Sequence, residues 1–83
     1  MEWDPAKNEK LKRERGVSFE EILQFTFVGI VPHLSRRRQM VLLFEREGLV
    51  WVVPCTVTGG AVFLKTLFPS RKYTKKWRRG EIH

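Results

Sequence analysis

The sequence has little of several features that define other classes of protein. Its single cysteine, Cys55, excludes an internal disulfide and a cysteine-based metal site, so a reducing cytoplasmic setting is expected. No apolar run approaches the roughly 20 residues that a membrane-spanning helix needs. The first five residues lack the basic-then-apolar order of a secretory signal. No glycine-rich phosphate loop, zinc pattern or Ser/His/Asp ordering is present, so neither a cofactor nor a metal is expected.

Length limits the chain further. With 83 residues, we expect a single domain covering residues 1–83, with one modest core and no separate cofactor-binding unit. Charged residues make up 30% of the chain and hydrophobic residues 42%, which is typical of a folded globular protein.

Positive charge is present in excess and is unevenly placed. The formal net charge is +7. Residues 1–25 carry five basic and six acidic side chains, whereas residues 26–83 carry eleven basic and three acidic ones. Residues 65–79 alone hold seven basic side chains and no acidic one. Such a segment attracts polyanions, namely RNA, DNA or an acidic partner. An anionic membrane surface is less favoured, because only Tyr73 and Trp77 would give the last helix an apolar face.

Capping signals predict two helices near the start of the chain. Asp4 followed by Pro5 is a strong helix start, and Gly16 is a suitable residue to end that helix. Ser18 and Glu21 have the spacing of a capping box, which predicts a second helix from about residue 19.

The periodicity changes after residue 38 and predicts a sheet. Residues 39–45, 49–54 and 61–68 are strand-like and are separated by glycine-containing turns, which indicates an antiparallel meander. Residues 28–32 read as a short strand or a buried loop. Ser70 then begins a final basic helix. The expected fold class is α+β: two N-terminal helices, a meander of three to four strands and a C-terminal basic helix.

Two blocks near the start carry a family resemblance. Residues 2–7 (EWDPAK) and 16–21 (GVSFEE), with the gap between them, closely resemble the opening of BrnT-type toxins. Those are small ribonuclease toxins with a RelE-like fold, from bacterial toxin–antitoxin pairs. The end matches more loosely. Arg71, Lys72 and Thr74 agree with the family's basic helix, and Trp77 stands where the family has an acidic residue.

The resemblance implies a cytoplasmic toxin that cleaves RNA without a metal and so inhibits translation. Its RNA would be free or bound to the ribosome. A cognate ribbon-helix-helix antitoxin, a DNA-binding protein, would neutralise it. The alternative is a non-catalytic module: a basic nucleic-acid-binding protein, or a degenerate toxin that retains only its interactions.

Four residues are candidates for the chemistry of RNA cleavage. Lys65 could stabilise phosphate charge, since we expect it on one strand face between Phe63 and Leu67; an edge-strand lysine that opposes aggregation is an equal alternative. Arg71, at a helix N-terminus, could hold the same phosphate. Tyr73 could transfer a proton, although packing against Trp77 is its simpler role.

His33 is the fourth candidate, as a general acid or base, with a plain surface residue as the alternative. The remaining basic residues are candidates for RNA binding, with a solvated surface as the alternative. They are Arg36, Arg37, Arg38, Lys72, Lys75, Lys76 and Arg79.

Overall fold

A computed structural model describes residues 1–32 and 38–82. Within them the chain combines three helices with a six-stranded sheet, a mixed helix-and-sheet class. The elements in chain order are β1 (Glu2–Trp3), α1 (Pro5–Arg15), α2 (Phe19–Ile22), β2 (Thr26–Pro32), β3 (Gln39–Arg46), β4 (Leu49–Thr58), β5 (Ala61–Leu64), β6 (Phe68–Pro69) and α3 (Arg71–Arg78). Residues 28–32, for which a short strand or a buried loop was expected, are part of β2.

The sheet has the strand order β1-β5-β4-β3-β2, with β6 also paired to β4. Neighbours from β2 to β5 are antiparallel, whereas β1 runs parallel to β5. The register of β2 against β3 shifts between Phe27 and Gly29, which marks a bulge. Strands β3 and β4 lie in the middle of the sheet and form its longest ladder.

The outer strand differs from its sequence-based expectation. One continuous strand over residues 61–68 is wrong, because β5 ends at Leu64 and β6 begins at Phe68. Lys65 and Ser70 are five positions apart, yet their N–H groups donate to the carbonyls of Pro54 and Val50, which are four positions apart on β4. The extra residue forces the outer strand out of regular pairing.

Both faces of the sheet are covered, and residues 40–44 of β3 are accordingly buried or half-buried. On one face, α1 and α2 supply Leu11, Phe19 and Ile22 to a core whose centre includes Val53 and Cys55. On the other face, α3 packs over a smaller core. Its members are Leu43, Val50 and Val52, with Tyr73 and Trp77 against them. The two sides of the sheet therefore carry different helices.

Local capping explains where the first two helices begin. Asp4 caps α1 by accepting a hydrogen bond from the backbone N–H of Ala6 at 3.0 Å. Gly16 ends α1 with φ 76°, a left-handed conformation that costs glycine little. Ser18 and Glu21 form the capping box of α2. These contacts fix where α1 begins and ends and where α2 begins.

Candidate nucleic-acid interface

Helix α3 presents an apolar side to the sheet and a cationic side to solvent. Tyr73 and Trp77 pack on the smaller core, and Thr74 between them is buried. The remaining positions are cationic, and all but the partly buried Lys76 are exposed: Arg71, Lys72, Lys75, Lys76, Arg78 and the C-cap Arg79. We call these six residues the cationic face. The i,i+4 pair Tyr73/Trp77 determines which side of the helix they occupy.

Hydrogen bonds fix α3 to strand β4. Ser70 caps the helix, its hydroxyl accepting from the N–H of Tyr73 at 3.1 Å. The hydroxyl of Thr74 accepts from the N–H of Val50 at 2.9 Å and donates to the carbonyl of Ser70 at 2.6 Å. These bonds join the helix to the strand through a buried group, so the cationic face has a defined orientation.

Two ammonium groups lie near the ring of Tyr73. The Nζ atoms of Lys72 and Lys76 lie 5.6 and 5.7 Å from its ring centroid, within cation–π range. The packing predicted between Tyr73 and Trp77 corresponds to their shared position on the smaller core. The ring therefore has a structural role, and it also holds two cations near each other.

A shallow depression opens beside α3. Its volume is about 230 Å³, and its lining consists of Leu49, Arg71, Thr74, Lys75 and Arg78. Arg78 also donates to the carbonyl of Gly48 at 3.4 Å. Three cations around one depression suit a phosphate group, because they can neutralise its charge from several directions. The described lining contains neither a carboxylate nor an imidazole.

Lys65 is not part of that depression. Its N–H donates to the carbonyl of Pro54, and the N–H of Ser70 donates to that of Val50, each at 2.9 Å. Because a strand rises about 3.3 Å per residue, these points lie about 13 Å apart along β4. That spacing favours contact of Lys65 and Arg71 with separate phosphates over one shared phosphate.

The surroundings of Lys65 also differ from the expectation. It follows β5 instead of lying within a strand, and its side chain is exposed. Leu67 is buried whereas Phe63 is 40% exposed, so the predicted single face with Lys65 between two apolar residues is wrong. The break between β5 and β6 accounts for the difference, since it ends the strict alternation of sides.

Three sequence-predicted site residues, His33, Arg36 and Arg37, lie outside the described residues. Arg38 is exposed in the turn before β3, and its carbonyl accepts from the N–H of Val57 at 2.7 Å.

Arg15, at the end of α1, was missed by sequence reasoning. Its Nη1 donates to the carbonyl of Leu67 at 2.6 Å and lies 3.3 Å from the hydroxyl of Thr66. Its Cζ lies 6.0 Å from the ring centroid of Phe68, which is 38% exposed. Arg15 therefore brings another cation to the strand segment that leads into α3. No local pattern signals a contact between residues so far apart in the chain.

Cys55 does not contribute chemistry to this surface. It is 1% exposed within the larger core, and its thiol lies 3.5 Å from the carbonyl of Met40. Burial raises the pKa of the Cys55 thiol above its ordinary value, because a thiolate would lose its solvation. The residue acts as a small apolar group.

A second depression, of about 310 Å³, lies at the same end of β4 but on the side of the sheet that carries the larger core, and Leu49 lines both depressions. Phe25 and Trp51 form part of its lining together with Arg46 and Glu47. The guanidinium of Arg46 lies 5.0 Å from the ring centroid of Phe25. Charges of both signs line this depression, so it suits a polyanion less well than the depression beside α3.

Comparison with known proteins gives no assignment: no family model, no curated protein and no solved structure matches the chain. None of the helices in residues 1–32 and 38–82 has the length and apolar composition needed to cross a bilayer. In the same residues, His, Cys, Asp and Glu side chains form no group of three that could hold a metal ion.

Proposed function

We propose that this chain binds RNA through the cationic face of α3 and cleaves it as a ribonuclease toxin of the BrnT and RelE-like type. The observation that carries the proposal is the orientation of α3. Tyr73, Thr74 and Trp77 turn toward the sheet, and six cations point elsewhere. A surface whose charges are all positive, held rigidly on a sheet, can bind a phosphate backbone. Its side chains are not required for the core.

Three features of the architecture support the proposal. The two motif blocks, residues 2–7 and 16–21, include the caps of α1 and α2. Strands β2 to β5 follow as consecutive antiparallel neighbours, and α3 closes the order as a basic helix. The comparisons offer no independent support for the family, so the resemblance rests on these residues.

The proposed chemistry uses cations in place of a metal. Cleavage requires a 2′-hydroxyl to lose a proton and attack the phosphorus, while the 5′-oxygen leaves and gains a proton. Arg71, Lys75 and Arg78 line the depression in which the developing phosphate charge would be stabilised. Tyr73 is the proton-transfer candidate nearest to them in the chain, and Lys65 would hold a neighbouring phosphate.

The test compares RNA cleavage and RNA binding in matched variants. Purified wild-type protein, Arg71→Ala, Lys65→Ala and Lys10→Ala are incubated with labelled RNA and with translating ribosomes. Lys10 is an exposed lysine of α1, on the other side of the sheet. Its substitution removes one positive charge at a distance from α3. We expect Arg71→Ala to lose most cleavage, Lys65→Ala to weaken binding, and Lys10→Ala to match the wild type. Cleavage unaffected by Arg71→Ala would contradict the assignment.

A non-catalytic RNA-binding module is the second candidate. It is favoured by the described lining of the depression, which offers cations but neither a carboxylate nor an imidazole as a general base. Binding of RNA by the wild type without cleavage, in preparations free of any antitoxin, would establish this candidate over the toxin.

The partner proposed with the toxin function is a ribbon-helix-helix antitoxin in the cytoplasm. A chain with a net charge of +7 is expected to associate with an acidic partner. The neighbouring reading frame provides the check. A short acidic ribbon-helix-helix protein encoded there should abolish RNA binding when mixed with this chain in equimolar amounts.

A further inference from the structure

We propose that Phe68 is a stacking platform for an unpaired base, which makes single-stranded RNA the ligand of the cationic face. This inference rests on the proposed function, because it assumes that the face binds RNA. Phe68 is 38% exposed although it belongs to the sheet. It lies on β6, which pairs with β4 alone among the described strands and therefore has an open side.

Cations lie near this phenylalanine in space or in the chain. Arg15 reaches it from α1, with the guanidinium carbon 6.0 Å from the ring centroid and Nη1 anchored on the carbonyl of Leu67 at 2.6 Å. Arg71, the first residue of α3, follows three positions after Phe68, and Lys65 precedes it by three. An exposed aromatic ring beside anchored cations is the combination that binds single strands, with stacking for the base and charge for the backbone.

A second exposed ring extends the platform. Phe68 is paired with Val52, and Phe63, 40% exposed, is paired with Thr56. These β4 positions are four residues apart, so both phenylalanines belong to one side of the sheet, about 13 Å from each other. It is the side on which α3 packs, since Val52 belongs to the core under Tyr73 and Trp77. The two rings therefore lie on the same side of the sheet as α3. We call the two rings and the cationic face together the track.

This track distinguishes an unpaired strand from a duplex. In an A-form helix the base faces are stacked inside and do not reach a protein ring, so a duplex would gain only the charge contacts. An unpaired base gains roughly 1–3 kcal/mol from stacking on an aromatic side chain. That converts to an affinity difference of about 5-fold to 150-fold per stacked base.

The experiment measures equilibrium binding of a fluorescent 10-nucleotide RNA, single-stranded or paired with its complement. The proteins are the wild type, Phe68→Leu and a control, Phe27→Leu. Leucine keeps an apolar side chain but removes the aromatic face. Phe27 is 54% exposed on β2, at the opposite edge of the sheet. We expect Phe68→Leu to weaken single-strand binding at least 5-fold and Phe27→Leu to change it less than 2-fold. The wild type should prefer the single strand to the duplex.

The outcomes separate this inference from the proposed function. If the wild type binds neither RNA, both fail. If Arg71→Ala weakens binding whereas Phe68→Leu does not, or if the duplex binds as well as the single strand, RNA binding stands and the platform is overturned. Phe68→Leu is checked for wild-type folding by circular dichroism and urea unfolding. Phe63→Leu, which tests the second ring, gives an independent reading should Phe68→Leu be unstable.

Discussion

Thr74 shows at the scale of one residue how this small protein holds its basic helix α3 on the sheet. It is 6% exposed, and among the described residues it is the one buried polar side chain. Its hydroxyl bonds to the N–H of Val50 at 2.9 Å and to the carbonyl of Ser70 at 2.6 Å. A hydroxyl in such a position satisfies a strand donor and also holds the first turn of the helix.

Thr74→Val should therefore destabilise the protein although its shape is nearly unchanged. The substitution leaves the N–H of Val50 buried without its partner, which costs about 1–3 kcal/mol. Urea unfolding should show the loss in the free energy of unfolding. Thr74→Ser keeps the hydroxyl, so its loss should be clearly smaller. A Thr74→Val variant as stable as the wild type would show that these hydrogen bonds do not stabilise the fold.

The ion pair of Lys12 and Glu21 gives the protein a pH dependence. Lys12 Nζ lies 2.7 Å from Glu21 Oε1. The N–H and the hydroxyl of Ser18 also stabilise the charged carboxylate by hydrogen bonding. Together they lower the pKa of Glu21 from 4.5 to about 2, the bond to Lys12 having the largest effect. Because the folded pKa is lower, the stabilisation is present above pH 4.5 and is lost as the pH falls toward 2.

The check is thermal unfolding between pH 2 and pH 7. The melting temperature of the wild type should fall more steeply below pH 4.5 than that of Glu21→Gln, which cannot titrate. Above pH 5 the two curves should run parallel, with the wild type higher. Curves that stay parallel down to pH 2 would contradict the role of Glu21.

At the scale of elements, local signals predicted helix starts and failed for long-range contacts. Asp4, Ser18 and Ser70 act as caps because capping involves only the next three residues. The contact of Arg15 with Leu67 crosses 52 positions, and no local rule indicates it. The break in the outer strand is likewise invisible in residues 61–68. The break arises because the segment must pair with β4 and then lead into α3.

Helix α3 provides a prediction that separates stability from charge. Ser70→Ala removes the cap and should lower the free energy of unfolding by about 1 kcal/mol. Ser70→Asp retains a capping oxygen, so its stability in urea should stay close to wild type. The added carboxylate, however, lies beside Arg71 and should weaken RNA binding. If both variants lose stability equally, the hydroxyl of Ser70 does not act as the cap.

At the scale of the whole molecule, the sheet separates the two kinds of charged surface. Helix α1 on one side carries acids and bases together, with Lys12 paired across to α2. Helix α3 on the other side contains bases and no acid. The sequence alone revealed the cationic segment, since residues 65–79 contain no acidic residue. It could not reveal that the exposed rings of Phe63 and Phe68 share a side with it, because the irregular register decides that.

The salt dependence of RNA affinity should show which side of the sheet binds RNA. If about five phosphates contact the cationic face, the logarithm of RNA affinity should fall with the logarithm of salt with a slope of about −3.5. Affinity should then drop about 100-fold between 50 and 200 mM salt. Lys75→Ala should reduce the slope by about 0.7, and Lys10→Ala on the other side should leave it unchanged. Phe68→Leu should lower affinity equally at every salt concentration, because stacking releases no counterions. A slope near zero, or one that Lys10→Ala changes as much as Lys75→Ala, would show that RNA does not bind at α3.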